Sequence, residues 1–394
     1  MNELQSLQVS GFKSIRDATI DLHRVNVLIG ANGAGKSNLL SVFRMLNAML
    51  TSSVGLRVFV ADQGRARALL HGGPRATPRM HIALSFRVDN ATNTYDATWG
   101  VGADDSLYFA AESAAHHRDN SALPNSLDLG AGHLESGLPG AINRGDKTAR
   151  TVKWNLDRWR FYHFHDTSMH APLRSASLLV DNRYLHGDGG NLPSFLRMLR
   201  EAHPASYATI LAAIRQVAPF FDDFVLEATD DPERTVALEW RERGSTYPFF
   251  AHHLSDGLLR FIALAAVLLQ PNLETRPLLV VIDEPELGLH PAAIRVLARL
   301  IERASSDTQI LVSTQSPALV DYFEPEQILV AERTDRGSEF RRLDSAALEE
   351  WMETYSLGEL WEKNVLGGRP GFVPSKPPPD HAPSGQPEGS KEGS

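Results

Sequence analysis

The chain has 394 residues, 42% of them hydrophobic, and a formal net charge of −9. That length allows one large domain or two smaller ones with a sizeable core, and the acidic balance excludes general attraction of the whole molecule to nucleic acid, so any DNA contact needs a local basic patch. No cysteine is present, which excludes a disulfide framework, a thiol nucleophile and a thiolate zinc site.

Met1-Asn2-Glu3-Leu4-Gln5 has no basic stretch followed by an apolar run, so no secretion signal is expected. The best apolar candidate for a membrane span, Leu258 to Leu269, is too short and reads as a buried helix. The expected setting is cytoplasmic, without membrane contact.

In chain order, Leu4 to Ser10 and Ala18 to Leu22 read as a hairpin turned at Gly11 and Lys13. The apolar run Val25 to Ile29 then feeds Gly30-Ala31-Asn32-Gly33-Ala34-Gly35-Lys36-Ser37, which fits the phosphate-loop pattern G-x-x-x-x-G-K-[ST] without a mismatch and opens a helix over Asn38 to Leu50. A strand ending in such a turn aims backbone N–H groups and the positive helix end at one spot, which suits a triphosphate. Lys36 is expected to reach the β/γ-phosphates and the Ser37 hydroxyl to hold Mg²⁺. Gly30, Gly33 and Gly35 are expected where a Cβ would block the turn or the approach of backbone to phosphate.

Met80 to Val88, Thr94 to Val101 and Ser106 to Glu112 alternate apolar and polar residues and predict an antiparallel sheet. From Ala114 to Arg150 the composition turns polar and no period survives, which predicts a surface loop. Trp154 to Phe164 is strand-like, Leu192 to Arg200 and Tyr207 to Val217 have helical spacing, and Phe224 to Ala228 with Thr235 to Trp240 read as a strand pair. Buried α/β texture follows: a helix from Ser255, strands Leu278 to Ile282, Gln309 to Ser313 and Gln327 to Ala331, and helices from Pro291 and Ala318. From Gly367 onward Pro, Gly, Ser and Lys predict a disordered tail.

Leu278 to Ile282 ends in Asp283-Glu284, a buried strand running into two adjacent carboxylates. Beside a phosphate loop, Asp283 would bind Mg²⁺ through water and Glu284 would polarise the attacking water; alternation along the strand keeps the two acids from competing for one ligand. His163 and His165 fall on one strand face, but no third protein ligand accompanies them.

Asp283-Glu284-Pro285-Glu286-Leu287-Gly288-Leu289-His290-Pro291 resembles the Walker B and D-loop run of ABC-type ATPase heads in RecF, SMC and OLD-family proteins and in the predicted bacterial AAA-family ATPases related to them. Leu254-Ser255-Asp256-Gly257-Leu258 resembles their LSGGQ-like signature, and Gly11-Phe12-Lys13-Ser14 their segment near the nucleotide. The resemblance implies an α/β P-loop NTPase with an ABC-type head: a mixed sheet core, plus a second lobe of antiparallel β and helix. It places one head domain over residues 1–366, with the nucleotide core from 1–79 and 250–345, the second lobe inserted at 80–249 and the tail at 367–394.

It further implies that ATP is contacted by Gly30 through Asn38 and by Lys13 and Gln315 within one protomer, and by Ser255 and Gly257 of a second, in a head-to-head homodimer. Gln315 stands where many relatives carry histidine; it can hydrogen-bond a γ-phosphate but cannot take a proton. No glutamine follows Phe164 at the Q-loop, so His165 or Asp166 is the candidate near the metal. Leu357-Gly358-Glu359-Leu360-Trp361 and Gly367-Gly368-Arg369-Pro370 resemble the C-terminal end of the predicted ATPases, and no acidic nuclease constellation follows Ala331.

The expected function is Mg²⁺-dependent ATP hydrolysis by Lys36 and Glu284 in DNA maintenance or defence against foreign DNA, with Arg158, Arg160, Arg174 and Arg183 as the basic surface. The alternative is an ATP-gated scaffold for a partner nuclease or toxin. The missing Q-loop glutamine and the large insertion argue against a transporter subunit.

Overall fold

The computed structural model describes residues 2–121, 123–230, 233–273 and 275–368. Two six-stranded sheets dominate. The first is antiparallel and contains β1 (Glu3–Phe12), β2 (Ile15–Asp21), β4 (Arg79–Val88), β5 (Ala91–Val101), β6 (Leu107–Arg118) and β7 (Asn125–Gly130), in the order β2-β1-β4-β5-β6-β7. The second contains β3 (Val25–Ile29), β8 (Trp159–Tyr162), β9 (Leu279–Asp283), β10 (Gln309–Ser313), β11 (Ile328–Thr334) and β12 (Gly337–Arg342). Its order is β12-β11-β3-β10-β9-β8, parallel throughout except for the edge strand β12.

The continuous apolar runs predicted a sheet covered on both faces, and every residue of β3 is buried. Alternation divides the side chains: Val25, Val27, Ile29, Val280, Ile282, Ile310 and Val312 join one core cluster, while Leu28, Val281, Leu311 and Leu329 join another. The main helices are α1 (Lys36–Thr51), α2 (Lys147–Leu156), α3 (Leu192–Ala202), α4 (Pro204–Val217), α5 (Asp256–Leu268) and α6 (Pro291–Ser305). Residues of α3 to α6 fill the first cluster; α1, α2 and the antiparallel sheet fill the second. Asn26, fully buried in β3, is satisfied by His23, Ile310 and Arg342.

Segment 80–249 contributes to both sheets, β4 to β7 to the antiparallel one and β8 to the parallel one. The loop expected over Ala114 to Arg150 is instead ordered structure: β6 continues to Arg118, and β7, a short helix Leu138–Asn143 and α2 follow. Its anchor is the buried Glu112 carboxylate, which accepts hydrogen bonds from Tyr95 Oη (2.7 Å), Ser136 Oγ (2.5 Å) and Gly137 N (2.7 Å). One tertiary carboxylate thus fixes a stretch whose own sequence carries no period.

Trp154 lies in α2, so the aromatic strand begins only at Trp159. Of the expected tail, residues 369–394 lie outside the described residues, while Gly367 and Gly368 are described and pack against Glu332 and Gly30. No helix among the described residues is long and apolar enough to cross a membrane.

Candidate functional site

The strand ends of the parallel sheet bring the motifs together. β3 runs into the phosphate loop, whose last glycine, Gly35, has φ +115 and caps α1; a Cβ there would lie 2.1 Å from Ser338 Oγ, so no other residue fits. The outer side of Gly33 is open space, and Asn32, Gly33 and Ser37 are exposed while Gly30, Ala34, Gly35 and Lys36 are buried. The Lys36 ammonium donates to the Gly30 and Ala31 carbonyls, folded back into its own loop. Burial holds it below its usual pKa, opposed by the nearby carboxylates Glu284, Asp283 and Glu286.

β10 lies between β3 and β9, so the strand carrying the carboxylates reaches the phosphate loop across one intervening strand. Glu284 follows β9 in a left-handed backbone conformation (φ 46), uncommon for a side chain of its size, and is held by its N–H donating to Ser313 O at 2.7 Å. Gln315, two residues beyond β10, donates its amide Nε2 to Glu284 Oε1. Gln315 and Glu284 therefore touch.

Glu286, to which the sequence pattern assigns no role, joins them. Its Oε1 accepts from Thr314 Oγ1 (2.6 Å) and Gln315 N (3.2 Å), pinning the segment that carries Gln315. Burial pushes its carboxyl above the usual range, although those two donors pull it down. Glu286 Oε2 and Ser313 Oγ are buried without a hydrogen-bond partner among the described residues.

His165 places Nε2 3.0 Å from the Asp283 carbonyl, to which it donates, so the segment after β8 meets the end of β9 through backbone. No group of three or more His, Cys, Asp or Glu that could hold a metal occurs among the described residues.

Two expected nucleotide contacts are engaged elsewhere. Lys13 donates to Ser41 Oγ (2.8 Å), one turn along α1 from Ser37, and to Gln63 Oε1 (2.7 Å). Asn38 donates to Ser14 Oγ (2.6 Å), which meets Ser338 Oγ at 2.7 Å, a chain that ties the start of α1 to the edge strand β12.

The signature segment starts α5. Ser255 Oγ caps it by accepting from Leu258 N at 3.3 Å; Ser255 and Asp256 are exposed, and Gly257 is partly so. A Cβ on Gly257 would lie 2.3 Å from Gly288 O, so the signature and the D-loop touch through backbone.

Two arginines fix this arrangement. Arg174, expected on a basic surface, is instead nearly buried: it donates to Thr167 O, Ala251 O and Leu254 O and pairs with Asp256 at 2.7 Å, because the turn before α5 offers carbonyls that need a donor. Arg260, 4% exposed, donates to Phe164 O (2.7 Å), His165 O (3.2 Å) and Leu287 O and so ties α5 to the Q-loop position and the D-loop. A lone arginine in the apolar run Leu258 to Leu269 was the signal available in the sequence.

The chain is 24% identical over 379 residues to an OLD nuclease of Thermus scotoductus, covering 90% of this chain and 67% of that protein. The fold is shared with an Smc head bound to the C-winged helix domain of ScpA (TM-score 0.56, 17% identity, 89% of this chain and 99% of that one). It is shared also with an Smc head domain carrying an extended coiled coil, bound to the C-terminal domain of ScpA, from Pyrococcus furiosus (TM-score 0.55, 14% identity, 90% and 99%). Residues 25–321 match the family described as "AAA domain, putative AbiEii toxin, Type IV TA system"; the chain belongs to this family and is a P-loop ATPase of the RecF/SMC/OLD class.

Proposed function

We propose that two copies of this chain close head to head over ATP, each supplying half of two pockets, and separate after hydrolysis. Within one copy the backbone from Gly30 to Asn38 cradles the phosphates, Lys36 leaves its own loop carbonyls to neutralise the β/γ oxygens, and Glu284 orients the attacking water. Gln315, already on Glu284, senses the terminal phosphoryl group. From the other copy, the partner's Ser255 and the partner's Gly257 offer a hydroxyl and a helix-start N–H. The observation that carries the dimer is that Ser255 and Asp256 are exposed, at a helix start turned to solvent.

Ser37 and Asp283 would hold Mg²⁺, and their oxygens suit a hard cation. The orphaned Ser313 Oγ and Glu286 Oε2, together with three carboxylates bearing on Lys36, describe a site short of positive charge, which supports that fit. When bound, the ion would neutralise charge on the phosphate oxygens. Glu284→Gln tests the reading: ATP should be retained and a stable dimer should appear by light scattering, whereas normal turnover by this variant would refute the role of Glu284.

The setting we propose is cytoplasmic, in DNA maintenance or defence. A groove of about 710 Å³ supports it: Arg158 stacks 4.0 Å over Trp154, Arg160 4.6 Å over Tyr184, and exposed Arg183 lies beside them. Kinship with a nuclease points the same way. A gel shift weakened by salt and by Arg183→Glu is expected; no shift at low salt refutes DNA contact.

An ATP-gated scaffold for a toxin or nuclease is the second reading. It draws on the toxin–antitoxin description of the family and on Smc heads bound to ScpA, and it is tested by co-purification of a stoichiometric partner.

A further inference from the structure

The short helix Leu357–Glu362, the last among the described residues, has no part in the scheme above, yet it is built onto the nucleotide site. Ser356 and Glu359 form a reciprocal capping box at its start. Gly358 then presses on the segment following Gln315: its N–H donates to Asp321 Oδ1 at 2.6 Å, and a Cβ there would lie 2.5 Å from Pro317 O. One turn on, Trp361 is 7% exposed, and its indole N–H is buried without a hydrogen-bond partner among the described residues.

Beyond the helix the chain returns to the phosphate loop. Arg341 holds Leu366 O at 2.9 Å, and Gly368 donates to Glu332 Oε1 at 2.8 Å so close to the loop that a Cβ on it would lie 3.3 Å from Gly30 Cα. Together these parts border an open pocket of about 280 Å³ lined by Gly30, Asn32, Gln315, Pro317, Trp361 and Glu362, among others. A phosphate loop, a sensing residue and an indole sharing one cavity is an arrangement that pure packing of a C-terminal helix does not require.

We propose that this helix is the outer wall of the nucleotide site: Trp361 is a positioning residue that holds Gln315 on Glu284, and the open pocket it borders receives the terminal phosphoryl end of a nucleoside triphosphate. The inference rests on the ATPase reading and deepens it. Glu362, exposed at the rim, sets a carboxylate against that phosphoryl end, so it disfavours the triphosphate relative to the diphosphate until the site is fully charge-balanced.

The test uses the full chain and compares Trp361→Ala, Trp361→Phe and Glu362→Gln. Trp361→Ala should lower kcat about tenfold or more with KM moved less than about threefold, and Trp361→Phe should restore most of the rate by refilling the wall. The wild-type tryptophan fluorescence should respond differently to ATP and ADP, and the difference should vanish in Trp361→Phe. Glu362→Gln, a surface change that leaves folding intact, should raise the ratio of ATP to ADP affinity by about threefold or more.

Wild-type kcat in a folded Trp361→Ala, or loss of ADP binding and Tm together in both Trp361 variants, would overturn the proposal, as would an unchanged affinity ratio in Glu362→Gln. Absence of hydrolysis by the wild type would instead sink the ATPase reading, while the fluorescence and affinity readouts would still judge the wall.

Discussion

Truncating Arg260 to alanine would test whether the loops around the nucleotide site are held as one unit. The guanidinium is 4% exposed and donates to three backbone carbonyls, those of Phe164, His165 and Leu287. Charge-assisted bonds contribute roughly 1.5–3 kcal/mol each, so losing all three with no compensation would cost about 5–9 kcal/mol. The carbonyls of His165 and Leu287 belong to exposed residues, which water can reach once the side chain is gone. Rehydration of two of the three carbonyls therefore brings the expected loss down to about 3–5 kcal/mol.

With an unfolding entropy of about 2.1 cal/mol/K per residue, that amounts to a fall in Tm of about 4–6 °C for a chain of this length. Calorimetry reads it directly. Because Phe164 and His165 lead to Asp283 and Leu287 follows Glu286, steady-state hydrolysis should fall more than nucleotide affinity does. A Tm within about 1 °C of wild type together with unchanged hydrolysis would refute the claim that Arg260 couples these segments.

Other outcomes follow from the same geometry. Glu286→Gln should be more stable than wild type at neutral pH, because the buried carboxyl has its pKa raised: its favourable contribution is complete below the unfolded value, about 4.3, and is lost as pH rises through the folded one. Thermal melts should show the advantage of the variant shrinking toward about pH 4, and a constant difference across pH would contradict this. Gly257→Ala sets a Cβ 2.3 Å from Gly288 O; about 1–3 kcal/mol of strain and a loss of hydrolysis of about tenfold or more are expected, read by melting and by phosphate release. Lys36→Met should weaken ATP roughly ten- to hundredfold by calorimetric titration with little change in Tm, since its present partners Gly30 O and Ala31 O belong to the loop itself.

The sequence alone was most legible where local pattern and chemistry coincide. Val25 to Ile29 and Gln309 to Ser313 are strands with the expected bounds, and the phosphate loop and the Asp283-Glu284 pair lie at the ends of strands of one sheet. It was least legible where one distant side chain organises a polar stretch. Glu112 orders the loop before the Leu138–Asn143 helix from within another strand, and Arg174 looks like a surface cation until the carbonyls before α5 are brought against it. Lys13 shows the converse, since its motif was recognisable but its ammonium is taken by Ser41 and Gln63. Glu286 lies within the run Asp283 to Pro291, but its role depends on Thr314 and Gln315 arriving from just beyond the neighbouring strand.

The neighbours of β3 have a consequence for biosynthesis. Both strands that flank it come from the far end of the chain: the Asn26 to Ile310 contact spans 284 residues, and β11 comes later still. At roughly 5–20 residues per second, the ribosome leaves that apolar segment without either edge partner for about 15–60 s. Meanwhile one face can shelter against α1 and the early hairpin, since Leu28 of β3 shares a cluster with Leu39 and Val9. A nascent chain stalled before Gln309 would thus carry an intact phosphate loop yet present two naked strand edges, making it a substrate for chaperones and not for nucleotide.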